Sequence, residues 1–403
     1  MRVKIRKYPY PYQAMLTICS DLDETPNKDI YFETARYLNT TKETLLGKGV
    51  GLEVGNTIFF DMPAHNFSYT NTDNDGREKI HKLIQSGHID CLHSFGDFVI
   101  SREKIEKYWS VIRQGERKIE VWVDHGQAAT NLDNDIMQGQ GAEIGAAAYH
   151  TDLTVQSGGL PFIWKGRVSS CVAQNAKRSY ASIFNRKQFK ASSKTILLEF
   201  IKGWLARLGN QKYAMHSANK VLRKTMLTDG SPVLEFMRCN PSWGGVSIFD
   251  SARGIHNVLT PAVLNTLVKN QGCSIFYSHL GKVFSEREPF SEQTRQAFEL
   301  LASYQQKKQI LVTTTRRLLG YNRTVEELGF VVKLQGGETQ IHFTTAYCGE
   351  DLHGLTWYVD KPEKTSLYVN GEKYLNLQIN QPDQTNRSSV SIAWLPLNYP
   401  DQL

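Results

Sequence analysis

Leu16-Thr-Ile-Cys-Ser-Asp-Leu-Asp-Glu-Thr25 is an apolar run that ends abruptly in two carboxylates, Asp21 and Asp23. Such a run reads as a strand whose chemistry sits at its carboxyl end. Alternate side chains of a strand share a face, so Asp21 and Asp23 are expected to point the same way and to serve one site. Two like charges held that close are costly unless a cation or a shared proton lies between them. A metal ion is therefore the first expectation for this stretch.

Working outward, strand and helix alternate. Lys28 to Leu45 reads as a helix, Val50 to Phe60 as strand ending at Asp61, and Arg77 to Gln85 as a helix stopped by Gly87. Ile89 to His93 is a short strand, Arg102 to Arg113 a helix capped by Ser101, and Ile119 to Val123 a strand. Ile144 to Tyr149 reads as strand, Gln156 to Lys194 as a polar, turn-rich insertion, and Thr195 to Leu208 as a helix. Val233 to Met237, Cys273 to Tyr277 and Ile310 to Thr313 are strands, interleaved with helices at Pro261 to Asn270 and Glu292 to Gln305. Continuous apolar strands alternating with helices predict a parallel sheet closed into a distorted, TIM-like β/α barrel of about seven strands. From about Gly329 the texture changes to short strands with turn signals such as Gln335-Gly-Gly and Asn370-Gly. The expected division is a barrel over residues 1–328 and a small all-β appendage over 329–403.

Composition narrows the class. The 403 residues are 40% hydrophobic and 22% charged, as in ordinary globular proteins. The formal charge of +7 reads as spread over many residues, with no dense basic block or RNA-binding signature, so nucleic acid is not an expected partner. Six widely spaced cysteines, four of them in strand-like runs, read as buried thiols of a reducing compartment. With no leader-like or membrane-spanning apolar run, a cytoplasmic location is expected.

The strand ends carry the chemistry. After the first come Asp21 and Asp23; after the Ile89 strand, His93-Ser94-Phe95-Gly96-Asp97; after the Ile119 strand, Asp124-His125-Gly126. Later strands end at His150 and Asp152, at Arg238, and at Ser278-His279-Leu280-Gly281. Ionisable groups recurring at one end of many parallel strands mark a site.

Three of these motifs together resemble the polysaccharide deacetylase superfamily, or NodB-homology domain: Asp-x-Asp after strand one, His-Ser-x-x-Asp, and the late Tyr-Ser-His-Leu-Gly. The resemblance spans roughly residues 10 to 320. It implies a divalent metal, zinc first with manganese, iron or cobalt as alternatives, and removal of acetyl groups from N- or O-acetylated sugars. Carried over, Asp21 is the base, Asp23, His93 and Asp97 are metal ligands, and His279 is the general acid. The chain departs from the family at Asp97, where the family has His, and at Glu24, where it has Gly. It departs again at Val123-Asp-His-Gly, which replaces an Arg-Pro pair that braces the base.

His125 could replace Asp97 as ligand, and with His150 and Arg238 it is otherwise a candidate for substrate binding. Arg238 could supply a cation to Asp21 or pair with Glu235 on the surface. Trp122, Trp164, Trp243 and Tyr277 are candidate sugar platforms, though large aromatics more often fill cores. The expected function is deacetylation of an acylated sugar or glycan in surface-polysaccharide synthesis. The rivals are a deformylase or other linear-amide hydrolase on the same fold, and an inactive carbohydrate-binding scaffold.

Overall fold

The computed structural model describes residues 3–21, 25–96, 101–123, 128–132, 139–241, 249–347 and 349–400. Its centre is a large curled, mostly parallel sheet that forms a half-barrel. The strands are β1 Ala14–Ser20, β2 Asn56–Asp61, β3 Ile89–Gly96, β4 Val121–Val123, β5 Phe162–Trp164 and β6 Val168–Ser169. They continue with β7 Leu222–Met226, β8 Pro232–Phe236, β9 Arg238–Cys239, β10 Cys273–Ser278 and β11 Ile310–Val312. The order is β7-β8-β5-β4-β3-β2-β1-β10-β9-β6, with β11 also on β1; β7 and β8 are the antiparallel pair.

Helices fill the connections: α1 Lys28–Asn39, α2 Asn74–Ser86, α3 Arg102–Ile112, α4 Phe189–Arg207, α5 Ala214–Ala218, α6 Pro261–Asn270, α7 Glu292–Gln306 and α8 Thr315–Glu327. Local chemistry sets their ends. The Asn27, Asp73, Thr260 and Ser291 side chains accept N–H groups of the first turns of α1, α2, α6 and α7. Gly87 closes α2 in the left-handed region at φ +83°.

Several expectations shift. α1 stops at Asn39, where Thr40 turns extended and leads into a small hairpin, Glu43–Thr44 against Gly47–Lys48. The Ser101 hydroxyl bonds Glu103 and does not cap α3. Ile144 to Tyr149 is a series of turns, not a strand: Ile144 is 73% exposed and the small Gly145-Ala-Ala-Ala148 run offers a sheet little to pack. α4 begins at Phe189, β5 falls inside the turn-rich insertion, and β7 and α8 are additional to the expected elements.

β1 is the hub. It pairs with β10 at six successive positions, from Cys273 opposite Met15 to Ser278 opposite Ser20. Its even face, Ala14, Leu16 and Ile18, packs with Val263, Leu264 and Leu267 of α6 and Phe298 and Leu301 of α7. Met15 and Cys19, on its odd face, meet Cys91, Val121, Phe162 and Ile275 inside the curl. Asp21 continues that inner face.

The last strands are β12 Val331–Gln335, β13 Glu338–Phe343, β14 Thr356–Tyr358, β15 Thr365–Val369, β16 Glu372–Lys373, β17 Gln378–Asn380 and β18 Ser389–Ser391. They form two four-stranded sheets, one of them completed by the N-terminal strand Lys4–Ile5, which pairs with β14. Their core is continuous with the main sheet: Ile341, Trp357, Leu367 and Val390 pack in one cluster with Met15, Leu311 and Leu318. Trp357 is fully buried at its centre. Trp357→Ala should lower stability by about 3–5 kcal/mol. Urea unfolding followed by far- and near-UV circular dichroism should show one transition moved to lower denaturant, with no separate early unfolding of the C-terminal strands.

Candidate active site

Asp21 follows β1 directly and is fully buried. Its N–H donates to the Ser278 carbonyl at 2.8 Å, while the Leu280 N–H donates to Ser20 Oγ at 2.9 Å, so the ends of β1 and β10 are knitted together. Gly281 lies so close to Thr25 that a Cβ would sit 2.0 Å from Thr25 Oγ1; only glycine lets the late motif close on the opening stretch.

Arg238, also fully buried, grips Asp21 with both fork nitrogens: Nη1 donates to Oδ2 at 2.9 Å and Nη2 to Oδ1 at 2.8 Å. Nη2 also donates to the Cys19 carbonyl at 2.8 Å. The guanidinium lies over the rings of Trp164 and Tyr277, 4.4 Å and 4.3 Å from their centroids. Burial works against its charge, yet the Asp21 carboxylate beside it holds its pKa above the ordinary arginine value. Of the two sequence alternatives, the partner is therefore Asp21. Glu235 is taken instead by Arg167 at 2.8 Å and Arg223 at 2.6 Å. Trp164 and Tyr277, candidate sugar platforms in the sequence, pack the arginine.

Two imidazoles flank the same carboxylate oxygen. His93 Nε2 lies 3.8 Å and His279 Nε2 3.9 Å from Asp21 Oδ2, both longer than a hydrogen bond. His93 is placed by a bulge. Between Ile58 opposite Leu92 and Phe59 opposite Ser94 the register slips, leaving His93 the extra residue, and its ring stacks on Phe59 at 3.8 Å. Gly96 ends β3 at φ +138°, where a Cβ would lie 2.3 Å from the Asp61 carbonyl oxygen.

His279 is oriented from behind. Its Nδ1 meets Asp250 Oδ2 at 3.1 Å, its N–H donates to the Asp250 carbonyl at 2.6 Å, and Tyr277 Oη lies 3.3 Å from Nε2. Asp250 is the member that sequence reasoning missed. It stands alone in a loop, 29 residues before His279, without a motif around it.

The remaining candidates divide. Asp23, Asp97, His125 and Trp243 lie outside the described residues. His150 is fully buried, its Nδ1 3.0 Å from Thr154 Oγ1 and its Nε2 2.9 Å from the Thr130 carbonyl, with its ring stacked on Trp122 at 5.0 Å. Both nitrogens are spent within the protein, so the ring has none to offer a sugar. Asp152 pairs with Arg102 at 2.7 Å and braces the same loop. His88 and His216 are also buried. Among the described residues no group of three or more His, Cys, Asp or Glu side chains is placed to hold a metal. The five described cysteines are free and buried.

Comparison with protein-family models, with curated proteins and with solved structures finds no match to this chain.

Arg238→Leu should destabilise the protein by about 3–5 kcal/mol, because it leaves Asp21 buried without its cation; chemical denaturation of the purified variant reads this directly. A second expectation concerns pH. Burial pushes the His150 imidazole down to about 4. The unfolded chain takes up that proton near pH 6.5 and the folded protein only near pH 4. The contribution is thus complete above pH 6.5 and is lost as pH falls toward 4, up to about 3 kcal/mol. Unfolding free energies of wild type and His150→Gln, measured across this window, should show a shallower acid slope in the variant.

Proposed function

We propose that the chain is a metal-dependent hydrolase of the polysaccharide deacetylase type, removing an acetyl group from an N- or O-acetylated sugar or glycan on a nucleotide or lipid carrier during surface-polysaccharide synthesis. The observation that carries the reading is a buried carboxylate, Asp21, held by a bidentate arginine and flanked by two imidazoles, one of them oriented by a second carboxylate. A carboxylate base with an imidazole acid 3.9 Å away suits hydrolysis of an acyl bond.

The pairing pattern supports a distorted β/α barrel as the scaffold. β5 and β6 are three residues apart in sequence and β8 and β9 one residue apart. Each pair acts as one bent strand, β5 on β8 and β6 on β9, and carries the hydrogen bonding from β4 round to β10.

In the proposed reaction Asp21 takes a proton from water as its oxygen adds to the acetyl carbonyl. His279 then gives a proton to the leaving amine or alcohol as the carbon–nitrogen or carbon–oxygen bond breaks, releasing acetate. Arg238 keeps the base ionised and in place, and Asp250 fixes the imidazole orientation of the acid. His93, with Asp23 and Asp97, would hold a divalent ion, zinc first, that acidifies the water and polarises the carbonyl. An imidazole turned by a bulge toward the base fits such a role.

Metal analysis of protein purified without added ions should find about one zinc, or manganese, iron or cobalt, per chain, lost in His93→Ala. His279→Ala should lower kcat for acetate release about 100- to 10,000-fold with the fold retained. Absence of stoichiometric metal together with full activity of His93→Ala would sink the reading, and formate in place of acetate would move it to a deformylase.

A further inference from the structure

Helix α4 is built inside out. Its inward face is small or polar, with Ser192, Thr195, Glu199 and Gly203 buried. Eight large apolar side chains between Phe184 and Leu208 are 39% to 64% exposed. Five of them, Leu197, Phe200, Ile201, Trp204 and Leu208, share one outward stripe by helical spacing. The orientation is fixed from beneath. Glu199 accepts from Ser169 Oγ at 3.1 Å, Arg178 Nη2 at 3.1 Å and Lys202 Nζ at 2.7 Å, and a Cβ on Gly203 would lie 2.3 Å from Arg178 Nη1. Turning the apolar stripe inward would strand that carboxylate.

Charge says what covers the stripe. Residues 177–213 hold nine basic side chains and one acid, Glu199, a formal +8 where the whole chain carries +7. The even spread expected from composition therefore fails in this segment. Arg178 and Lys202 are committed to Glu199. The other seven, Lys177, Arg186, Lys187, Lys190, Lys194, Arg207 and Lys212, are exposed and have no carboxylate partner among the described residues. A second copy docked face to face would oppose two such basic sets, which is unfavourable. The helix does not span a membrane: it is 19 residues long with five charged positions, and no described helix is long and apolar enough to cross one.

We propose that α4 is an interfacial helix that docks the protein onto an anionic phospholipid bilayer. The exposed Phe, Leu and Trp side chains of the stripe enter the acyl boundary, while the neighbouring Lys and Arg side chains meet headgroup phosphates and carboxylates. The inference stands apart from the proposed hydrolase activity.

Flotation with vesicles of phosphatidylcholine alone, and of phosphatidylcholine with phosphatidylserine, tests it on the full chain. Wild type should float with the anionic vesicles, release as salt is raised, and bind the neutral ones at least about tenfold more weakly. Leu197→Glu/Trp204→Glu, at exposed positions, should lose binding while keeping the wild-type melting curve, and Lys187→Glu/Lys194→Glu should lose it on the anionic vesicles. Failure of wild type to float with the phosphatidylserine vesicles overturns the proposal, as does binding that ignores both pairs of substitutions. Concentration-dependent dimers abolished by Leu197→Glu/Trp204→Glu, without vesicle binding, would overturn it in favour of a self-interface.

Discussion

The site is organised around the ion pair of Asp21 and Arg238, both without solvent exposure. Taking a carboxylate and a guanidinium out of water is costly, and their attraction repays it only with near-ideal geometry and satisfied remaining donors. Here the fork is matched to both carboxylate oxygens, the Cys19 carbonyl takes a further N–H and two aromatic faces flank the guanidinium, while Nε is left without a hydrogen-bond partner among the described residues. Because Arg238 begins β9 and Asp21 directly follows β1, the pair clamps two elements that are one strand apart in the sheet, with β10 between them. The buried ion pair is thus also a constraint on the curl.

The imidazoles depend on that clamp in different ways. His93 reaches Asp21 because β3 carries one residue too many for β2, a register slip that turns the side chain inward. His279 reaches it because β10 is locked to β1 along its whole length, which puts residue 279 beside residue 21. Asp250 then sets the ring by its side chain and its backbone at once. A strand bulge, an in-register pair and a loop carboxylate converge on one oxygen atom, Asp21 Oδ2.

Much of this was legible in the residues. Strands with apolar runs and helices with clear caps read true, because local propensity and the fold agree there: Gly87 after α2, Pro261 opening α6, Asp21 closing β1. Ile144 to Tyr149 misled because it is apolar by count but built of alanine and glycine, which have little to bury. Arg238 was legible as a cation in search of a carboxylate, while its choice of Asp21 over Glu235 is set by a contact across 217 residues. Asp250 and the His93 bulge were not legible, since one is a long-range pairing and the other a matter of register. The inverted α4 runs against the usual rule that apolar helix faces turn inward, and a helical reading of Thr195 to Leu208 carries no information on which side faces the protein.

The N-terminal strand has a consequence for how the chain is made. Lys4 pairs with Tyr358 and Ile5 with Trp357, so this strand finds its partner only after more than 350 further residues have been made. Until then β14 is missing and the core that holds Met15 and Leu311 lacks Trp357. Pairings of such sequence separation form late, after the loop-closure entropy has been overcome. The pairing of Lys4 and Ile5 with β14 is therefore a late step of assembly, reached only once Trp357 and Tyr358 have been made.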